Sequence, residues 1–267
     1  MSHCHNQLAP VLFIGHGSPE NVVLDNDFSR ALRQTGQRLA KPRAILAVSA
    51  HWLTPGVRLT TAPAPEQVFD FYGFPDTLYQ VRYPARTDSS VVADVLALGA
   101  GIPVVADADA GFDHGTWTVL KHLFPDADVP VLQLSLDRHL DRAQHYRLAQ
   151  RLRGVRELGV MVVASGNVVH NLGRLDWHNR NGGADWALDF DRQIKQALLQ
   201  RDVDFLTQPR TAMALAARLA VPSEDHYWPL LYSEGLRDDS DELTWIYEGY
   251  EYGSIALRSY LLQERQG

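Results

Sequence analysis

The chain has 267 residues, 45% of them hydrophobic and 21% charged, which is enough apolar material for a large core. A formal net charge of -7 with scattered Lys and Arg leaves no electrostatic footprint for a phosphate backbone. No stretch approaches the roughly 20 apolar residues of a membrane span. Nucleic acid and membrane are therefore excluded as partners, and a soluble, cytoplasmic protein is expected. The one cysteine, Cys4, rules out an internal disulfide and a multi-thiolate zinc site, so histidines and carboxylates must hold any metal.

No linker, repeat or low-complexity tract divides the sequence, so a single domain over 1–267 is expected, with 1–9 as a mobile N-terminus carrying His3, Cys4 and His5. Apolar runs suited to strands buried on both faces occur at Pro10 to Ile14, Ala44 to Val48, Ile102 to Ala106, Val129 to Leu136 and Val160 to Ala164. Helical spacing falls between them, at Asp27 to Leu39, Ser89 to Leu98, Thr116 to Leu123 and Asp141 to Leu158, then at Trp186 to Leu199 and Ala212 to Leu219. Gly253 to Leu262 alternates as a late strand. The segment from Pro63 to Pro84, rich in proline and aromatics, reads as a long ordered loop with a short strand. The fold class is α/β, a mostly parallel or mixed sheet with helices on both faces.

Histidines stand where such a fold places function, beyond the carboxyl ends of strands. His16 follows VLFIG within GHGSP, His51 follows AILAVSA, and His170 follows VMVVASG within SGNVVHN. His114 precedes a predicted helix in GFDHGTW, and His226 lies near a helix start in SEDHYWPLL. Neutral imidazole is the commonest protein ligand for a metal, and loops at one sheet edge can converge from distant positions. His122, His139, His145 and His178 lie on helix faces or polar segments and are read as structural. No GxSxG elbow, phosphate-cradling P-loop or HExxH motif competes with this reading.

The segments GHGSP (15 to 19), SAHW (49 to 52), GFP (73 to 75), FDHGTW (112 to 117), ASGNVVHNL (164 to 172) and DHYWPLL (225 to 231) resemble the signature segments of the DOPA 4,5-dioxygenase extradiol family, related to protocatechuate 4,5-dioxygenase. They run in family order across nearly the whole chain. The resemblance implies an α/β fold, a non-haem Fe(II), and a catechol substrate opened by O2. It implies His16, His51 and His226 as metal ligands, His170 as an acid/base or fourth ligand, and His114 as a further catalytic histidine. An all-histidine donor set also suits Zn(II), so a zinc-dependent hydrolase on the same histidines is the alternative, and a metal-binding protein without turnover a second. Glu224 and Asp225 adjoin His226 as carboxylates that would ligate, support a ligand, or simply face solvent. Phe71, Tyr72, Phe74, Trp117, Tyr227 and Trp228 are candidates for an aromatic wall or for core packing. Arg82 and Arg174 are candidates to pair with a substrate carboxylate, and nothing in the sequence chooses between them.

Overall fold

The computed structural model describes residues 7–98, 104–208 and 214–265. In chain order its elements begin with β1 (Val11–Gly15), α1 (Asp27–Arg38), β2 (Ala44–Thr54), β3 (Val57–Thr60), α2 (Asp76–Tyr79) and α3 (Ser89–Leu98). There follow β4 (Val104–Asp107), α4 (His114–Leu123), β5 (Val131–Asp137), α5 (Arg142–Arg151), α6 (Gly154–Glu157) and β6 (Val160–Gly166). The last part holds α7 (Asp185–Gln200), α8 (Val203–Thr207), α9 (Leu215–Ala220), α10 (Trp228–Leu236), β7 (Asp241–Tyr247), β8 (Tyr250–Glu251), β9 (Ile255–Ala256) and β10 (Ser259–Glu264).

Eight strands form one mixed sheet in the order β4-β3-β5-β2-β6-β1-β10-β7. Its centre is parallel, β5 beside β2, β2 beside β6, and β6 beside β1, whereas β10 runs antiparallel to β1 and β7 antiparallel to β10. Alternation along the central strands divides the core in two. Val11, Phe13, Leu46, Val48, Val162 and Ala164 pack on the side covered by α5, α7 and α10. Leu12, Ile14, Ile45, Met161 and Val163 pack on the opposite side, against α1 and α4. Both faces are therefore covered, which is why these strands read as continuous apolar runs.

Three expectations change. Asp141 to Leu158 is two helices, α5 and α6, because Leu152 ends the first turn pattern and its amide bonds back to Ala149 and Gln150. Gly253 to Leu262 is two strands, since β9 pairs with β8 in a separate two-stranded sheet and β10 joins β1. The loop from Pro63 to Pro84 holds the short helix α2 and, in place of a strand, an isolated bridge from Gln67 to Phe112. Residues 102, 103, 212 and 213 of the expected strand and helix lie outside the described residues, as does the His3, Cys4 and His5 cluster. Leu8 and Ala9 donate their amides to the Glu264 carboxylate at 3.0 Å and the Arg156 carbonyl at 3.0 Å. Among the described residues, no helix is long and apolar enough to cross a membrane.

Candidate metal centre

β1, β2 and β6 run parallel, so their carboxyl ends open at one edge of the sheet. His16 follows β1 there, and Gly17 after it turns the chain with φ of 60°, the left-handed region that glycine enters without strain. A Cβ on Gly17 would also stand 2.3 Å from Leu257 Cδ2, so that side chain would have to shift to admit another residue. His51 lies near the end of β2, and His114 opens α4, whose first turn is capped by the Asp113 side chain accepting from Thr116. His170 follows β6, its amide bonded to the Ala220 carbonyl. His226 comes just before α10 and is fastened to β6 by the Asn167 amide, which donates to the His226 carbonyl at 2.8 Å.

All five imidazoles meet. Ring centroids stand 5.1 Å apart for His16 and His51, 5.3 Å for His16 and His226, 4.9 Å for His51 and His226, and 3.9 Å for His51 and His114. His170 stacks on His226 with centroids 3.5 Å apart and planes 6° from parallel. His16, His51 and His114 each offer one ligand atom within 4.8 Å of the others, and the His226 ring adjoins those of His16 and His51.

Hydrogen bonds fix which nitrogens face inward. The Ser165 hydroxyl spends its single proton on the Gly115 carbonyl at 2.6 Å, so at 2.9 Å it accepts from His16 Nδ1. His16 Nε2 is then a lone pair. His226 Nδ1 donates to Asp225 Oδ2 at 2.6 Å, leaving its Nε2 buried with no partner. His51 Nδ1 faces Asp70 Oδ2 at 3.6 Å, an arrangement that favours the proton on Nδ1 and the lone pair on Nε2. The Nε2 atoms of His16 and His51 face each other at 3.1 Å. Two such nitrogens repel unless a proton on one of them or a metal ion lies between them, and two nitrogens each about 2.1 Å from one ion at a right angle stand about 3.0 Å apart. The donor set therefore fits a single metal ion, with a second row of carboxylates behind it.

Asp70 serves two histidines. Its Oδ1 accepts the His114 backbone amide at 2.9 Å and lies 2.9 Å from His114 Nδ1, out of line for a second hydrogen bond. Burial opposes ionisation of Asp70, but its contacts with His114 outweigh that and hold the carboxyl below its usual range. Burial and then the neighbouring imidazoles push His16, His51 and His170 well below the usual imidazole range, so all three are neutral at physiological pH.

The cluster forms the floor of a cavity of about 520 Å³. Phe71, Tyr72 and Phe74 from the loop after β3 line it, joined by Trp177 and Tyr252, which sequence reasoning did not single out. Trp117 and Tyr227 are core residues and Trp228 packs on His145, none of them on the cavity wall. Arg82 and Arg174 also lie off it, and Arg82 donates to the Tyr79 and Val81 carbonyls. Glu224 instead pairs with Arg142 at 2.7 Å, while Asp225 supports His226. His122 bonds the Asn21 carbonyl and His145 bonds Tyr232, both away from the cluster. Asp70 and Ser165 were missed because neither lies in a local metal motif, although the proximity of Ser165 to β6's end was a signal.

A sheet with a parallel centre that gathers imidazoles beyond its strand ends is a framework able to hold a metal ion at an enzyme site. Residues 5–260 match the family model described as the catalytic LigB subunit of aromatic ring-opening dioxygenase. The chain is 41% identical over 252 residues to the 4,5-DOPA dioxygenase extradiol of Escherichia coli K12, covering 94% of this chain and 93% of that one. It is 31% identical over 262 residues to the 4,5-DOPA dioxygenase extradiol of Beta vulgaris, covering 96% and 97%. A crystal structure of an uncharacterized E. coli K12 protein superposes with a TM-score of 0.81 at 37% identity, covering 95% of this chain and 99% of the other. The chain belongs to this family and is an extradiol aromatic ring-opening dioxygenase, which sets aside the hydrolase alternative.

Proposed function

We propose that the whole chain acts as one catalytic domain that opens a DOPA-like catechol with O2, beside rather than between the two hydroxyl-bearing carbons. The cofactor of this reading is one Fe(II), held by His16, His51 and His226. The observation that carries it is the pair of Nε2 atoms of His16 and His51 facing at 3.1 Å, with the His226 ring 4.9 Å from that of His51 and its Nε2 buried without a partner. When bound, the ion supplies positive charge that favours the catechol anion and a redox path between ring and O2, which zinc in the same site would lack.

The remaining work falls to the protein. His170 is neutral and stacked on His226, so its ring can accept a catechol hydroxyl proton without first losing one. His114, held by Asp70 beside His51, is placed to steady the developing anion and return a proton. Phe71 and Phe74 pack edge to face with centroids 5.4 Å apart and offer a flat apolar wall. Both atoms of O2 enter the product, one as carboxylate and one as aldehyde, in a chain of the muconate semialdehyde type. The E. coli and B. vulgaris relatives carry DOPA in their names, which supports this substrate class.

Anaerobic loading with Fe(II), followed by oxygen uptake and absorbance scanning with a catechol panel, tests the reading. Iron-dependent uptake with a yellow product, lost in His16→Ala, is the expected result. A protein with stoichiometric iron and no uptake on any catechol would overturn it.

A further inference from the structure

Among the described residues, the cavity walls hold no lysine or arginine. Apart from the imidazoles, their charged groups are Asp70, already engaged by His51 and His114, and Glu20. Glu20 is half-buried on the short 3-10 turn Pro19–Val22, whose start is fixed by the Ser18 hydroxyl accepting the Glu20 amide at 3.3 Å. The turn is anchored further by Glu251, whose carboxylate accepts from the Ser18 amide at 2.7 Å and the Asn21 side chain at 2.8 Å. Glu251 is thus occupied, whereas Glu20 lines the cavity and its carboxylate forms no ion pair among the described residues. An unpaired carboxylate on a cavity wall is an electrostatic preference waiting for a cation.

The rest of the mouth suits the same charge. Trp177 is 65% exposed and packs on Tyr252 with ring centroids 4.9 Å apart, and both line the cavity. Tyr72, which also lines the cavity, is 93% exposed. Large aromatic faces left in water at a cavity mouth mark a binding surface, and their π faces attract an ammonium group. A carboxylate with no ammonium beside it, as on a ring-carboxylated catechol, would meet Glu20 and Asp70 with no described cation to receive it.

We propose that the mouth of this cavity is a subsite for an alkylammonium group, with Glu20 as counter-charge and Trp177 and Tyr252 as aromatic walls. The preferred substrates are then catechols bearing a basic amine side chain, and ring-carboxylated catechols are poor ones. The inference rests on the ring-opening reading above and adds a residue that sets its specificity.

The test is anaerobic calorimetry on the iron-loaded protein with 4-(2-aminoethyl)catechol, 4-ethylcatechol and 3,4-dihydroxybenzoate, alongside oxygen uptake on each. The amine is expected to bind roughly tenfold more tightly than ethylcatechol, as one charge-assisted contact supplies, and the benzoate more weakly than either. Glu20→Gln is expected to bring the amine-to-ethyl ratio close to one, and Trp177→Ala to lower it severalfold. Benzoate binding as tight as the amine, or a ratio unchanged in Glu20→Gln, would overturn the subsite while uptake on ethylcatechol leaves ring opening intact. Absent uptake on all three would overturn ring opening instead, and the isotherms would then decide the amine preference by themselves.

Discussion

Replacing Asp225 with asparagine changes one charge behind the candidate metal centre and little else in volume. Burial opposes ionisation of Asp225, yet the hydrogen bond and charge of His226, with help from Ser223, hold its carboxyl well below the carboxylate range. The wild-type contact is thus a charge-assisted bond, His226 Nδ1 donating to Oδ2 at 2.6 Å. Such bonds are about twice as strong as neutral ones, so the amide forfeits on the order of 1.4 kcal/mol of orientation and basicity at His226. That corresponds to about tenfold in metal affinity, the lower end of the tenfold to hundredfold range for groups supporting a ligand. Competition of the apoprotein against a chromogenic chelator measures it, and circular dichroism with a thermal melt confirms that the variant folds. An affinity within twofold of wild type would refute the reasoning. The ion would then belong to the compact triple of His16, His51 and His114, and Asp70→Asn should show the loss instead.

Three further outcomes follow from packing and charge. Asp241→Ala leaves the Arg156 guanidinium, 1% exposed and now bonded through two 2.7 Å contacts, without its counter-charge, and should cost about 3–5 kcal/mol in urea unfolding; a loss below about 1 kcal/mol would mean that water reaches the pair. Burial lowers the pKa of His145 to about 4, so between about 6.5 and 4 the unfolded state takes up a proton that the folded state refuses. Stability should fall by about 3 kcal/mol as pH drops through that window, and His145→Gln should flatten the decline; identical slopes in denaturant titrations would contradict this. Gly235→Ala would place a Cβ 2.6 Å from the Ala149 Cβ and 2.7 Å from the Tyr146 carbonyl, so overpacking of about 1–3 kcal/mol should outweigh the better helix propensity of alanine, read as a lower Tm.

The strands β1, β2, β5 and β6 were legible because burial on both faces makes their apolar runs continuous. β7 was not, since DELTWIY lies at the sheet edge, with Asp241 buried against Arg156 and Glu242 exposed, and takes its identity from pairing with β10. β3 has four residues, too few for a period to show. α10 is buried on every side, so WPLLYSEGL carries no polar stripe to mark a helix. The positions of the histidines could be read, because strand ends announce themselves. Their convergence could not, because strand order, not sequence, decides that β1 and β6 are neighbours. Asp70 illustrates the limit: it sits in an irregular loop, and only the folded chain brings its carboxylate under His51 and His114.

The placement of β1 between β6 and β10 has a consequence for biosynthesis. The residue that begins the cluster is His16, yet the Gly15 amide before it is anchored to the Arg258 carbonyl and the Ser259 hydroxyl. A ribosome-bound chain that has already released His16, His51 and His114 still lacks His226 and the strand that steadies His16. Topology of this kind delays long-range pairing until late in folding. Before that strand is in place the nascent chain offers scattered imidazoles rather than a gathered cluster.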